Sequence, residues 1–315
     1  MQSWGTHPSG ARRWRCRGCG TNAVWSREDN RARARRALFI AWLSGKRTLG
    51  EVAAARSVSK RTLVRWFAQA WTTPPRPHPP ENVRVIVLDA TSIEARRCVM
   101  LIAGDADRRS PVSWDMAARE SAGSWTPFLS ALRRAGASPP YVVCDAQKGL
   151  IKAIREVWPA ARIQRCLIHV TRQARLWLTL RPKTRAGTEL LGIVRALVSV
   201  RTRRQKRRWV RRFHRWQKRH AAFLKERTSG VGRWWYTHRK LRAVRSLLNN
   251  AIPDIFRFVS DPSVPRTSNH VEGGLNARIK ELLRCHRGLP LKKKIALAAW
   301  YLHLRQGRKP TRNVT

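Results

Sequence analysis

The stretch from Tyr141 to His169 restricts the possible fold more than any other part of the chain. It opens with Tyr141-Val142-Val143-Cys144-Asp145, a short β-prone run ending in a carboxylate, continues as a helix-spaced segment up to Pro159, and resumes as a second short strand closing on His169. Strand, helix and strand make a β-α-β unit. Ligands gather at the carboxyl ends of strands in such units, which puts Asp145 where an active-site carboxylate stands. An Asp there also serves as cap for the helix beginning near Lys148, and this stretch alone leaves both roles open.

Two more acidic residues sit in comparable places. Val83 to Thr91 is an apolar strand with Asp89 at its C-terminal end, and Thr267 to Lys280 opens a helix with Glu272 in its first turn. Val271, Leu275, Ile279 and Leu282 recur at helical spacing as a buried stripe, with Glu272 and Asn276 on its flank. Only 18 acidic residues face 66 basic ones. Three carboxylates at such positions are therefore unexpected as decoration.

The formal net charge of +48 exceeds what solubility requires and points to a polyanion, with double-stranded DNA the natural partner. A membrane is not expected, because the longest apolar segment, Ile295 to Leu304, is about half the length a bilayer crossing needs. Arg12, Arg13 and Arg15 are followed by no apolar run, so no secretory signal is read. Six irregularly spaced cysteines suggest no disulfide framework, and a reducing, cytoplasmic compartment is expected.

In chain order, residues 1–29 carry Cys16-x-x-Cys19, half of a tetrahedral zinc site, to which His7 is a possible third ligand. No second pair follows at usable spacing, so a partial zinc-ribbon-like segment is expected, with Zn²⁺ binding doubtful. Residues 30–72 read as a helix-turn-helix: a helix over Leu49 to Ala55, a turn, and a second helix over Lys60 to Ala70 capped by Ser59. The second helix offers Lys60, Arg61 and Arg65 to a DNA groove, against the plainer reading of a helical hairpin. Residues 73–82 form a Pro-rich linker. Residues 83–170 read as β-β-β-α-β-α-β, with Gly104 to Asp107 a turn that accounts for Asp105 and Asp107 without chemistry. Residues 171–264 contain no convincing strand and are expected to be a basic α-helical insertion. Within it, Trp209, Phe213 and Trp216 form a seam among Arg207, Arg208, Arg211 and Arg212. That suits packing on one side and DNA backbone on the other, or an ordinary solvated face. Residues 265–307 complete the core with the Glu272 helix and a final amphipathic helix, and 308–315 are a tail.

Taken together, a strand ending in Asp89, the run Asp145-x-x-Lys148-Gly149-Leu150, Gln164-Arg165-Cys166-x-x-His169 and the late Ser268-Asn269-x-x-Glu272-Gly273 helix resemble the Mutator-like DDE transposases of bacterial insertion sequences. The resemblance covers roughly Val83 to Arg305. It implies an α/β, RNase H-like catalytic core, a mixed five-stranded sheet with helices, interrupted by an all-α insertion and preceded by the helix-turn-helix domain. It further implies a catalytic, metal-binding triad of Asp89, Asp145 and Glu272 holding two Mg²⁺ or Mn²⁺ ions, with Asp89 bridging them and Cys166, His169 and Asn276 in support. The implied function is binding of terminal inverted repeats followed by metal-dependent strand cleavage and strand transfer, as a homo-oligomer on nucleoid DNA. The alternatives are a truncated or inactive remnant, or a helix-turn-helix regulator, that binds DNA without cutting.

Overall fold

In a computed structural model the described residues run from 1 to 306 except 9, 25, 26, 79–81, 96 and 146, so part of the Pro-rich linker and the 308–315 tail lie outside them. The chain divides into two compact units, one of Met1–Arg76 with Ile279–Tyr301 and one of Pro77–Arg278 with Leu302–Thr315. The expected 265–307 segment is thus split between units.

The first unit opens with an antiparallel sheet of β1 (Gln2–Thr6), β2 (Arg12–Arg15) and β3 (Asn22–Val24). Helix α1 (Arg27–Ser44) follows, then α2 (Leu49–Ala55) and α3 (Lys60–Thr72). Thr48 and Glu51 close a capping box on α2, and Ser59 accepts the Thr62 N–H to cap α3. Between them the chain turns through Ser57 at φ 50°. An aromatic cluster fills this unit: the Phe39 ring lies 5.2 Å from Phe67, 4.9 Å from Trp71 and 5.5 Å from Trp300, whose Nε1–H donates to Ala70 O.

The second unit is built on a mixed five-stranded sheet of β4 (Val85–Glu94), β5 (Cys98–Asp105), β6 (Ser110–Ala117), β7 (Tyr141–Cys144) and β8 (Arg162–Arg165), in the order β6-β5-β4-β7-β8. β4 is central, antiparallel to β5 and parallel to β7. Val85 to Leu88 are buried on both faces, as a continuous apolar run in a covered sheet must be. On one face α4 (Ala122–Arg134) and α5 (Lys148–Val157) bury Trp125, Phe128, Leu150 and Ile154 against Ile86 and Leu88.

Helices α6 (Leu167–Leu178), α7 (Arg185–Leu197), α8 (Arg203–Arg219) and α9 (Arg239–Ala251), with the short α10 (Arg257–Ser260), carry a second apolar core. The aromatic seam of α8 lies wholly inside it. Trp209 and Trp216 donate their indole N–H to Ile193 O and Ala186 O, and Phe213 is fully buried between them. Phe213→Ala removes a ring from a site with no solvent to refill it, and is expected to cost about 3–5 kcal/mol, read as an earlier denaturant midpoint. A change under about 1 kcal/mol would place the ring outside the core.

The insertion is not all helical. Strands β9 (Arg227–Gly230) and β10 (Arg233–Tyr236) pair antiparallel around Val231 and Gly232, the glycine at φ 68°. Arg227 stacks 4.0 Å over Trp234 and Arg242 3.5 Å over Tyr236, so the aromatic-basic run expected as helix is held as a hairpin by cation-π contacts. The chain closes with a π-helical segment, His270–Asn276, then α11 (Ala277–Cys285) and α12 (Leu291–Gln306). No helix among the described residues is long and apolar enough to cross a membrane.

Candidate active site

Register places the first two carboxylates. Val87 stands opposite Val143 in the parallel β4-β7 pair, and two residues further along each strand come Asp89 and Asp145. Asp145 does not cap α5. Gln147 takes that position, accepting the Leu150 N–H with its side chain, while its own backbone N–H donates to Asp145 Oδ1 at 2.9 Å. Gln147 Nε2 also donates to Glu120 O, tying the start of α4 to the start of α5. Gly149 allows this closeness, since a side chain there would meet the Ala122 backbone.

Glu272 lies on the π-helical segment rather than in an α-helix. The Ala277 N–H donates to Glu272 O, five residues back, which widens the turn. A side chain at Gly273 would collide with Asn269, and one at Gly104 on β5 would meet Val271 Cγ2 at 2.8 Å. Both glycines let this segment lie tightly on the sheet. The Val271, Leu275, Ile279 and Leu282 stripe is buried as its spacing suggests. Asn276, also buried, donates from Nδ2 to Asp89 Oδ2 at 2.7 Å.

The second strand of the β-α-β unit ends at Arg165, so His169 stands in the first turn of α6 rather than closing the strand. Cys166 leaves the ladder as N-cap of α6, its N–H donating to Cys144 O, while the Leu167 N–H is taken by Arg266 O. The Gln-Arg-Cys run acts as a fastener. Buried Gln164 donates to Ile255 O and accepts the N–H groups of Arg257 and Phe258, which anchors the chain returning from the insertion. Cys166 Sγ accepts the Ser268 N–H at 3.3 Å, and Ser268 O in turn accepts the N–H of Glu272.

Glu272 is the most heavily partnered of the three acids. Arg172 Nη1 lies 2.9 Å from its Oε1 and His169 Nδ1 3.8 Å from its Oε2. Burial drives the Asp89 carboxyl up to about 7; His169 and the Ala90 N–H oppose this, and the Glu272 and Asp145 charges add to it. Glu120 is also raised by burial and by Asp145, although its side chain accepts from Trp125 Nε1. The neighbouring Cys166 sulfur raises His169 to about 9 against burial, with help from Glu272 and Asp145. Burial pushes the Cys166 thiol up, but His169 and Ser268 outweigh it and leave it below its ordinary value.

The structure therefore brings Asp89, Asp145, Glu272, Cys166, His169 and Asn276 to one place. Spacing alone does not reveal Arg172, the tie from Gln147 to Glu120 or the proximity of Glu120 to Asp145, because each depends on a contact between distant elements. Lys60, Arg61 and Arg65 are exposed on α3, and Arg207, Arg208, Arg211 and Arg212 on α8. Cys16 and Cys19 flank the turn between β2 and β3, and His7 follows β1; none belongs to a three-donor cluster among the described residues. Cys19 is exposed and donates to Thr21 Oγ1.

A family model described as the Mutator family of transposases matches residues 81–191, a span that includes Asp89, Asp145, Cys166 and His169 and stops short of Glu272. A probable transposase for an insertion sequence element from Corynebacterium diphtheriae is 26% identical over 119 residues, covering 37% of this chain and 34% of that protein. The transposase for insertion sequence element ISRM5 of Rhizobium meliloti (strain 1021) is 38% identical over 104 residues, covering 30% of this chain and 26% of its own length. The transposase for IS905 of Lactococcus lactis is 32% identical over 100 residues, covering 29% and 26%. The chain thus spans about a quarter to a third of the curated relatives it matches. A simian T-cell lymphotropic virus intasome structure covers 70% of this chain and 67% of its own at 10% identity, and its TM-score of 0.21 carries no argument. Over residues 81–191 the chain is similar to the Mutator family of transposases.

Proposed function

We propose that this chain is a transposase of an insertion sequence that cuts and rejoins DNA phosphodiester bonds at Asp89, Asp145 and Glu272 on an RNase H-like core. One observation carries the reading: Asp89 in the middle of β4 and Asp145 just past the end of the neighbouring parallel strand β7 share an electrostatic environment with Glu272 of the π-helical segment, whose Asn276 bonds Asp89. Support for the core comes from the strand order β6-β5-β4-β7-β8, with the first three antiparallel and the last three parallel.

The donor set fits a pair of divalent cations. The Asp89 carboxyl is stripped of water by burial, and Asn276 Oδ1 and Thr91 Oγ1 are buried without partners. Asp89, Asp145 and Glu272 would hold the divalent ions. Mg²⁺ or Mn²⁺ bound there supplies an activated oxygen nucleophile and neutralises charge on the phosphoryl group. Asn276 fixes Asp89 Oδ2 and the Gln147 N–H fixes Asp145 Oδ1, so both carboxylates keep their direction. Arg172, with 63% of its side chain exposed, is free to exchange Glu272 for a DNA phosphate. DNA lies along α3 and the exposed face of α8, in a homo-oligomer that presents two element ends. The deciding experiment incubates the protein with duplexes carrying the element's terminal inverted repeats and Mg²⁺. Nicked and joined products are expected; binding without either product identifies a remnant that no longer cuts.

Reversing the charge of Arg207, Arg208, Arg211 and Arg212 should weaken binding to any duplex. It should also lower the slope of log affinity against log salt by roughly 0.9 for each phosphate that is no longer neutralised. These side chains point away from the buried seam, so the fold should survive, as circular dichroism will report. Unchanged affinity and slope would return them to a solvated face.

A further inference from the structure

Cys166, His169 and Glu272 form a second constellation that overlaps the acidic one but differs from it chemically. Their Sγ, ring nitrogen and carboxylate oxygen all lie within 4.8 Å of one another. Cys166 and His169 stand three residues apart at the start of α6, one helical turn, so both face the same way. Tetrahedral zinc, with bonds of about 2.0–2.3 Å, places such donors roughly 3.4–3.6 Å from each other. The 3.8 Å between His169 Nδ1 and Glu272 Oε2 is already close to that spacing.

Three further features suit a metal. His169 Nδ1 is buried and faces the Cys166 sulfur and Glu272 Oε2 without a well-formed hydrogen bond to either. The Ser268 N–H donates to Cys166 Sγ, the kind of outer hydrogen bond that orients a thiolate ligand. The donors are also held by backbone: Cys166 through Cys144 O, and Glu272 through Ser268 O. The opposing feature is Arg172 on Glu272 Oε1, but that guanidinium is largely exposed and leaves Oε2 to the His169 side.

We infer that Cys166, His169 and Glu272 form a soft-metal site, selective for Zn²⁺ or Co²⁺ over Mg²⁺, with a fourth position open to water. A sulfur, nitrogen and oxygen donor set favours these borderline ions, whereas Mg²⁺ takes oxygen alone. Binding forms metal-sulfur and metal-nitrogen bonds and releases to solvent the protons carried by Cys166 Sγ and His169 Nδ1, with no change of oxidation state. Because Glu272 is common to both constellations, zinc here withdraws it from the acidic triad and inhibits strand cleavage. This consequence rests on the proposed function; the binding itself does not.

The test uses the full chain with Cys16→Ser and Cys19→Ser, which removes the amino-terminal thiols. Titration with Co²⁺ should give one equivalent of tetrahedral cobalt with a near-ultraviolet thiolate-to-cobalt band. Cys166→Ser should abolish the band and Cys285→Ser should leave it unchanged. His169→Gln, which keeps the side-chain size on a half-buried position, should weaken cobalt binding roughly tenfold or more while circular dichroism stays the same. Absence of the band, or its persistence in Cys166→Ser, overturns the site. In the cleavage assay, Zn²⁺ added over saturating Mg²⁺ should suppress products, and His169→Gln should need roughly tenfold more zinc for the same fractional loss. A cobalt band together with zinc-insensitive cleavage would leave the site standing and remove Glu272 from the cleavage triad.

Discussion

Replacing Asp89, Asp145 or Glu272 with its amide should reduce strand cleavage and joining by at least about a thousandfold, a barrier increase of about 4 kcal/mol. DNA binding should remain nearly intact. Each amide keeps the shape of the side chain and removes the anionic oxygen that a divalent ion requires. Binding rests on other surfaces: Lys60, Arg61 and Arg65 on α3 and the basic face of α8 contain none of the three acids. Products should form with Mg²⁺ or Mn²⁺ and fail with Ca²⁺, whose looser coordination supports assembly without in-line chemistry. The control acid is Asp107, which pairs with Arg84 at 2.8 Å away from the site. Asp105 is a poor control despite its place in the same turn. It is buried and accepts the N–H groups of Asp107 and Arg108, so its amide would perturb the end of β5. Cleavage at parental rate by the Glu272 amide would move the third ligand elsewhere. Glu120, raised in pKa beside Asp145, is the first place to look; Glu281 pairs with Lys46.

The parts of this site that are legible in the sequence share a physical reason. The apolar runs leading into Asp89 and Asp145 show locally, but β4 continues past Asp89 to Glu94, so Asp89 stands in mid-strand rather than at the expected strand end, because residues 90–94 stay paired with β5. Asn276 is visible as a flank residue because it follows Glu272 by four positions. Its bond to Asp89, 187 residues away, is not. The π-helical turn is hidden for a related reason, since an apolar stripe at mixed spacing is satisfied by α and π geometry alike, and the choice depends on how tightly Gly104 lets Val271 approach. His169 reads as strand because Cys166-Leu167-Ile168 is β-prone; the fold ends the strand at Arg165, where Asp254 O takes its N–H. The hairpin of β9 and β10 escapes notice because each strand is four residues long and lies among basic residues that read as helix. Helices α2 and α3 are legible nearly to the residue because their start signals, Thr48 with Glu51 and Ser59, are local.

The Asp89 carboxyl makes a second large effect measurable without DNA. Its folded-state pKa of about 7 lies above the ordinary 3.8, and burial is the main cause. Below about pH 4 the carboxyl is protonated in folded and unfolded chains alike and contributes no difference. As pH rises from about 4 to 7 the unfolded chain releases this proton while the folded chain retains it, so the folded state is progressively disfavoured; above 7 the loss is complete and constant. The full effect is about 4 kcal/mol. Asp89→Asn cannot ionise, and its amide oxygen still accepts from Asn276 Nδ2. In chelator at pH 8 the variant should therefore be more stable than the parent, with an unfolding midpoint higher by roughly 8–16 °C in the second unit, and the gap should close toward pH 4. Mg²⁺ should narrow the gap from the other side, because a cation bound to the folded state stabilises the parent and has no anionic Asp89 to bind in the variant. A variant no more stable than the parent at pH 8 would mean that Asp89 is better solvated than its burial implies. A pH-dependent gap unaffected by Mg²⁺ would keep the buried carboxyl and remove it from the metal site. Both results together as expected would show that one residue lowers stability and supports catalysis for the same reason: a carboxylate held away from water and ready for a cation.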